Sequence, residues 1–236
     1  MRKLLIIKTG TTYPSIRDKT GDFDELILAG MAVSRKRVIV ASVYDGQALS
    51  AAESLAGIVI TGSEAMVTDG DKWSEYTARW LRKIAAKAVP TLGICYGHQL
   101  IAHAYGGTVA YHPGGEENGT VGITLTAAGE HDPLFQVLPA AFQGHALHAQ
   151  TVITLPAGAR VLACNSFEPH QGYSLHGHLW GVQFHPEFTA EIVRMYFDIE
   201  QEQLVKAGYN VAELRNTVQE HPFGTRLLQR FAALID

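Results

Sequence analysis

Cys95 lies in the pentapeptide Gly93-Ile94-Cys95-Tyr96-Gly97, directly after an apolar run from Val89 to Ile94 and directly before a stretch with helical patterning. G-x-C-x-G is the cysteine form of the strained strand-to-helix turn that lifts a nucleophile above a sheet, with the glycines letting backbone and helix approach closely. A sulfur held there sits at a helix N-terminus, where the partial positive charge favours thiolate over thiol. The N–H of Tyr96, the next residue, then faces the oxyanion of a tetrahedral intermediate. The pentapeptide alone also suits an inert structural cysteine, because free cysteine is among the most buried residue types.

A partner base separates the two readings, since a thiolate nucleophile needs a histidine to balance its charge and protonate the leaving group, and a third group to orient that imidazole. Of the eleven histidines, His103, His112, His131, His170 and His221 carry no chemical cue. His185 differs. The segment Trp180-Gly181-Val182-Gln183-Phe184-His185-Pro186-Glu187-Phe188 places it at the end of an apolar strand, with a carboxylate two residues later and Pro186 stiffening the turn between them. Such a turn aims Glu187 at the ring nitrogen that faces away from the sulfur. An isolated H-P-E reads more simply as a strand-end histidine beside a solvated glutamate. Its pairing with the cysteine turn gives it weight.

These groups must be held by a scaffold. Leu4 to Ile7, Val38 to Val43, Ile58 to Ile60 and Val89 to Ile94 are short aliphatic runs bounded by Gly, Pro or polar residues. Helical spacing appears over Asp24 to Val33 and again over Trp73 to Ala88, where Tyr76, Trp80, Leu81, Ile84, Ala85 and Ala88 form the apolar stripe. Strands alternating with helices indicate a parallel sheet covered on both faces. From Thr108 to Phe184 the runs shorten, as in Gly122 to Leu125, Thr151 to Leu155, Arg160 to Ala163 and Leu179 to Phe184, which indicates an antiparallel β elaboration. After Thr189 two helices are expected, divided near Gly208 to Asn210 and punctuated by Pro222, with Leu214, Val218, Leu227, Leu228 and Phe231 capping the fold. No linker, repeat or low-complexity tract appears, so one domain is expected over residues 1–236, with a core to about 188 and a helical extension over 189–236.

Composition narrows the class. Lys plus Arg number 19 against 23 Asp plus Glu, a net charge of −4, with no basic block, so no nucleic-acid partner is expected. Cys95 and Cys164 form no disulfide framework and no C-x-x-C metal pair, which fits a reducing compartment. The basic N-terminus precedes an apolar run too short for a signal peptide, and no run approaches the ~18 residues of a membrane span. A cytoplasmic protein without a membrane partner is expected.

Gly93-Ile94-Cys95-Tyr96-Gly97-His98-Gln99 followed by Val182-Gln183-Phe184-His185-Pro186-Glu187 resembles the signature pair of class I (triad) glutamine amidotransferases. The variant is most similar to the amidotransferase domain of GMP synthase and its free-standing relatives, from the first strand to at least Glu187. The resemblance implies a flavodoxin-like open sheet, with Cys95 as nucleophile, His185 as acid/base and Glu187 as its orienter. Ile60-Thr61-Gly62-Ser63-Glu64 matches the family's G-G-P loop, whose backbone gives the second oxyanion donor beside Tyr96. Here Ser63 replaces a glycine and Glu64 the proline, so the donor lies open between Gly62 and Ser63. By the same resemblance Gln99 lines the substrate pocket and Gly119, in Glu117-Asn118-Gly119, cradles the amino-acid end of the substrate. His148 falls where relatives carry His-Gly-Asp; the Asp is missing, and no role follows.

The implied reaction is amide hydrolysis through a γ-glutamyl thioester, with no metal or cofactor. Its small-molecule partner is glutamine or another γ-glutamyl compound. Neither a Ser-Gly-Gly-x-Asp-Ser loop nor a Walker-type glycine loop occurs in this sequence, and the roughly fifty residues after Glu187 are too few for a synthase module. Two enzymatic readings follow: a glutaminase subunit serving a separate synthase chain, or a free-standing γ-glutamyl hydrolase. A silent binding protein on the same fold is the third, and the intact triad speaks against it.

Overall fold

The computed structural model describes residues 2–236. Eleven strands form among them: β1 (Lys3–Lys8), β2 (Val38–Ser42), β3 (Leu55–Ile60), β4 (Thr91–Ile94), β5 (Thr108–Tyr111), β6 (Glu117–Leu125), β7 (Ala141–His148), β8 (Gln150–Thr154), β9 (Arg160–Cys164), β10 (Gly172–Leu175) and β11 (Leu179–Val182). The helices are α1 (Pro14–Thr20), α2 (Phe23–Met31), α3 (Lys72–Ile84), α4 (Tyr96–Ala104), α5 (Ala127–Glu130), α6 (Ala190–Ile199), α7 (Gln201–Lys206), α8 (Val211–Thr217) and α9 (Phe223–Leu234). Nine strands make one sheet in the order β2-β1-β3-β4-β11-β10-β9-β6-β7, and β5 pairs with β8 apart from it.

Leu4 to Ile7 is apolar at every position because β1 is covered on both sides. Leu4 and Ile6 pack with Ile27, Leu28, Leu227 and Phe231 of α2 and α9, whereas Leu5 and Ile7 pack with Leu81 of α3 and Leu100 and Ile101 of α4. The strands β2, β1, β3, β4 and β11 run parallel. This is the flavodoxin-like order with β11 as fifth strand, and it puts the carboxyl ends of β3, β4 and β11 side by side. The antiparallel strands β10, β9, β6 and β7 continue the same sheet.

Several local expectations are adjusted. Helix α3 ends at Ile84, and Ala88 takes a left-handed conformation that closes the following turn. It buries Ser74, Thr77, Ala78 and Leu81, while Tyr76 is exposed. The inward turn of Ser74 is fixed by the Tyr96 hydroxyl, 2.6 Å from its Oγ. After Thr189 there are four helices rather than two. The unforeseen break falls at Glu200, which leaves the helix and accepts a hydrogen bond from the Tyr13 hydroxyl at 3.1 Å. Helix α9 covers the sheet beside α2, and α1, α6, α7 and α8 enclose a separate cluster around Phe188, Tyr196 and Phe197. No helix among the described residues is long and apolar enough to cross a membrane.

Candidate active site

Cys95 follows the last residue of β4 and precedes the first of α4, with φ 48° and ψ −100°. A non-glycine residue in that region is strained and persists only where its surroundings hold it. Here they do. Its N–H bonds the Val182 carbonyl at 2.8 Å, and its own carbonyl accepts the Gln99 N–H at 3.1 Å. A Cβ on Gly93 would collide with the Gly97 carbonyl, and one on Gly97 with Ile60, so the tight approach of helix to sheet requires glycine at both positions.

His185 stands just past β11, its backbone N–H bonded to the His145 carbonyl at 2.8 Å. Its Nδ1 lies 2.9 Å from Oε1 of Glu187, and both side chains are buried. Phe188 stacks flat on the imidazole, with ring centroids 4.2 Å apart and planes at 6°. Burial alone would lower the His185 pKa. The Glu187 carboxylate and the Cys95 sulfur outweigh it and raise the value to about 10. Cys95 and His185 converge on Gly62, where a Cβ would stand 2.9 Å from His185 Cε1 and 3.9 Å from Cys95 Cβ.

The loop that carries Gly62 is clamped by hydroxyls at the end of β1. Thr9 Oγ1 donates to the Gly62 carbonyl at 2.9 Å, and Ser63 Oγ donates to the Thr9 carbonyl at 2.9 Å. Tyr96 opens α4, so its N–H has no carbonyl one turn earlier to bond. Gln99 is buried, with its amide nitrogen 2.8 Å from the Gln150 carbonyl and 3.0 Å from Gln183 Oε1. Gly119 is placed differently from its sequence reading. It lies within β6 at φ 110° against Thr217 and Phe197, and its neighbours Glu116 and Asn118 line the cavity instead.

Two groups escaped sequence reasoning. Gln183 is fully buried and directs its Nε2 at the Cys95 sulfur, 3.6 Å away. Its place inside the histidine segment was the available signal, two residues before His185 on the same face of an extended chain. The other is a second histidine–carboxylate pair. His148 Nε2 lies 3.0 Å from Glu117 Oε2, and its Nδ1 lies 3.0 Å from the Gln150 carbonyl. Glu117 also accepts from Asn165 at 2.7 Å and Gln171 at 2.6 Å.

Cys95, Tyr96, Gln99, Ser63, His148 and His185 open onto one cavity of about 350 Å³ at the carboxyl edge of the sheet. Its outer wall comes from Tyr13, Phe188, Tyr196, Glu200, Gln203 and Leu204. Among the described residues, no group of three or more His, Cys, Asp or Glu is arranged to hold a metal ion.

Residues 16–197 match the family model for glutamine amidotransferase class-I. A GMP synthase [glutamine-hydrolyzing] from Thermomicrobium roseum is 36% identical over 131 residues, which cover 56% of this chain and 23% of that protein. Gamma-glutamyl peptidase 4 of Arabidopsis thaliana is 32% identical over 149 residues, covering 62% of this chain and 58% of the peptidase. The chain therefore matches less than two thirds of either relative's length. The crystal structure of a glutamine amidotransferase from Thermotoga maritima superposes with a TM-score of 0.78 at 20% identity, covering 100% of this chain and 99% of that one. At that identity the likeness establishes the fold.

Proposed function

The chain belongs to the class-I glutamine amidotransferase family, an enzymatic family of amidohydrolase type, and from that premise we propose that it hydrolyses γ-glutamyl amides, glutamine first among them, through an acyl-cysteine at Cys95. The Cys95 sulfur attacks the γ-carbonyl carbon. The N–H groups of Tyr96 and of Gly62 or Ser63 receive the oxyanion. His185 gives its proton to the leaving nitrogen, the C–N bond breaks, and the glutamyl group stays on sulfur as a thioester. Water then loses a proton to His185, adds to the thioester and breaks the C–S bond. Glutamate leaves.

One observation carries this reading: a buried His185–Glu187 pair at 2.9 Å, converging with a strained Cys95 on Gly62. The test is release of glutamate and ammonia from glutamine by the purified chain, with and without candidate synthase partners. Turnover that survives Cys95→Ala would sink the mechanism. A second reading, partner-free hydrolysis of larger γ-glutamyl amides, is favoured by the cavity's extension from Cys95 to Gln203 and Leu204 on α7, more room than free glutamine requires. Robust turnover of such amides by the isolated chain supports it, and capture of an ATP-using synthase supports ammonia delivery instead.

A further inference from the structure

Resting on the γ-glutamyl reading, we infer that this chain's cavity is built for a γ-glutamyl amide whose amine portion carries a second, positively charged amino group: a mono-γ-glutamyl diamine or longer polyamine. Three carboxylates from three separate segments line the cavity, Glu64 after β3, Glu116 before β6 and Glu200 between α6 and α7, and among the described residues no Lys or Arg lines it. The two lining histidines are each taken up by another carboxylate, His185 by Glu187 and His148 by Glu117. Among the described residues the Glu200 carboxylate accepts only the neutral Tyr13 hydroxyl and the Glu116 carboxylate only the Asn118 amide, so neither has a cationic partner there. The carboxylates also sense one another. Burial first, then the charges of Glu64 and Glu116, raise the pKa of Glu200.

The cavity thus holds an excess of negative charge that a substrate must answer. The glutamyl portion brings one ammonium and one carboxylate and is neutral overall, so it leaves the excess uncompensated. A cation on the amine portion supplies what is missing. A separate observation gives the same sign. Gln150 lines the cavity and is buried, and its side-chain carbonyl oxygen has no donor among the described residues. An ammonium brings three N–H donors to such a site, whereas an alkyl or carboxylate terminus brings none.

The wall between the reacting centre and Glu200 suits an alkyl ammonium chain. Rings follow one another outward from the catalytic imidazole: Phe188 on His185, Tyr196 on Phe188 at 5.4 Å, and Tyr13 edge-on to Tyr196 at 5.6 Å. The Tyr13 hydroxyl then meets Glu200. Methylenes pack on such faces, and a cation is attracted to them. Met66 and Leu204 add apolar surface. The reaction is the same two-step hydrolysis. The amide C–N bond breaks with transfer of the His185 proton to the leaving nitrogen, water releases glutamate from sulfur, and the second product is the free diamine.

The test uses three γ-glutamyl conjugates of equal length, ending in an ammonium, a methyl group or a carboxylate. Steady-state hydrolysis by the intact chain is measured alongside equilibrium binding to Cys95→Ala, which cannot turn over. The ammonium conjugate is expected to exceed the methyl conjugate by about tenfold or more in kcat/KM and in affinity, with the carboxylate conjugate weakest. Added salt is expected to shrink the gap. Glu200→Gln combined with Glu116→Gln brings the ammonium conjugate close to the methyl one, mainly through KM. Equal binding of all three conjugates, or a preference untouched by the double variant, overturns the inference while hydrolysis of the methyl conjugate still upholds the γ-glutamyl reading. Absence of hydrolysis with every conjugate and with glutamine, beside selective binding of the ammonium form, overturns the hydrolase reading and leaves the charge preference standing.

Discussion

Two histidine–glutamate pairs flank the same cavity at nearly the same separation, 2.9 Å for His185–Glu187 and 3.0 Å for His148–Glu117. Their surroundings differ. Both nitrogens of His148 are occupied, and Glu117 receives two further amide donors, so that pair offers no ring nitrogen to the cavity. His185 meets a carboxylate at one nitrogen only, and the ring lies with Cys95 around Gly62. Glu187 keeps Oε2 without a partner among the described residues. In the proposed mechanism the open side of the ring and the strained sulfur beside it set the first pair apart, whereas the closed pair bonds across β6, β7 and the loop after β9.

Replacing the sulfur breaks this comparison most severely. With the Cys95→Ala variant, glutamate release is expected to fall by at least about a thousandfold, to the level of the protein without its nucleophile. Circular dichroism should remain that of the parent. Second in size is Glu187→Gln. It keeps the shape and removes the charge that raises His185, so kcat is expected to drop roughly a hundredfold and the alkaline limb of the pH–rate profile to move to lower pH. The sign follows from the opposing causes. Burial lowers the histidine pKa, and the carboxylate and sulfur lift it to about 10. Without the carboxylate the imidazolium is lost earlier as pH rises. The same linkage governs stability: the contribution of a raised histidine is complete below its unfolded value near 6.5 and disappears as pH climbs towards about 10. An unmoved alkaline limb in Glu187→Gln would count against His185 as the group titrating there.

The turn at Cys95 and the His185–Glu187 pair were legible because each part is local. Five residues around Cys95 encode a strand, a strained turn and a helix start, and three residues encode the His185–Pro186–Glu187 corner. The parallel half of the sheet was legible for a related reason, since strands buried on both faces read as unbroken aliphatic runs. What sequence reasoning lost is spread along the chain. Strand β7 carries Gln143, Gly144, His145 and His148 among its eight residues, and nothing local reveals that cross-strand pairing with β6 holds it. Glu64, Glu116 and Glu200 lie far apart in sequence, and only the fold gathers them around one cavity. The break before α7 was equally silent, because Glu200 turns away to meet Tyr13, 187 residues earlier in the chain.

Breaking the closed pair should leave chemistry largely intact and stability reduced. Glu117→Gln removes a buried charge that accepts from His148, Asn165 and Gln171, and is expected to cost roughly 3 kcal/mol in denaturant unfolding. Activity per folded molecule should change far less than in Glu187→Gln. Equal losses of activity in the two variants would erase the distinction between the pairs.

The same contrast holds between the two cysteines, and there the smallest effect is expected. Cys164 ends β9 on regular strand backbone, half-buried rather than buried as its type suggested, whereas Cys95 occupies a strained turn at a helix start. Cys164 ends a strand rather than opening a helix and does not sit in a strained turn, so two features that make a thiol reactive are missing there. Cys164→Ala is expected to stay within about 1 kcal/mol of the parent in stability, with kcat and KM unchanged within error. A thiol-specific alkylating reagent supplies the complementary measurement, since Cys95 should be labelled first and glutaminase activity lost in step with it. Inactivation that tracks modification of Cys164 instead would mean that strain and helix placement do not mark the reactive sulfur in this fold.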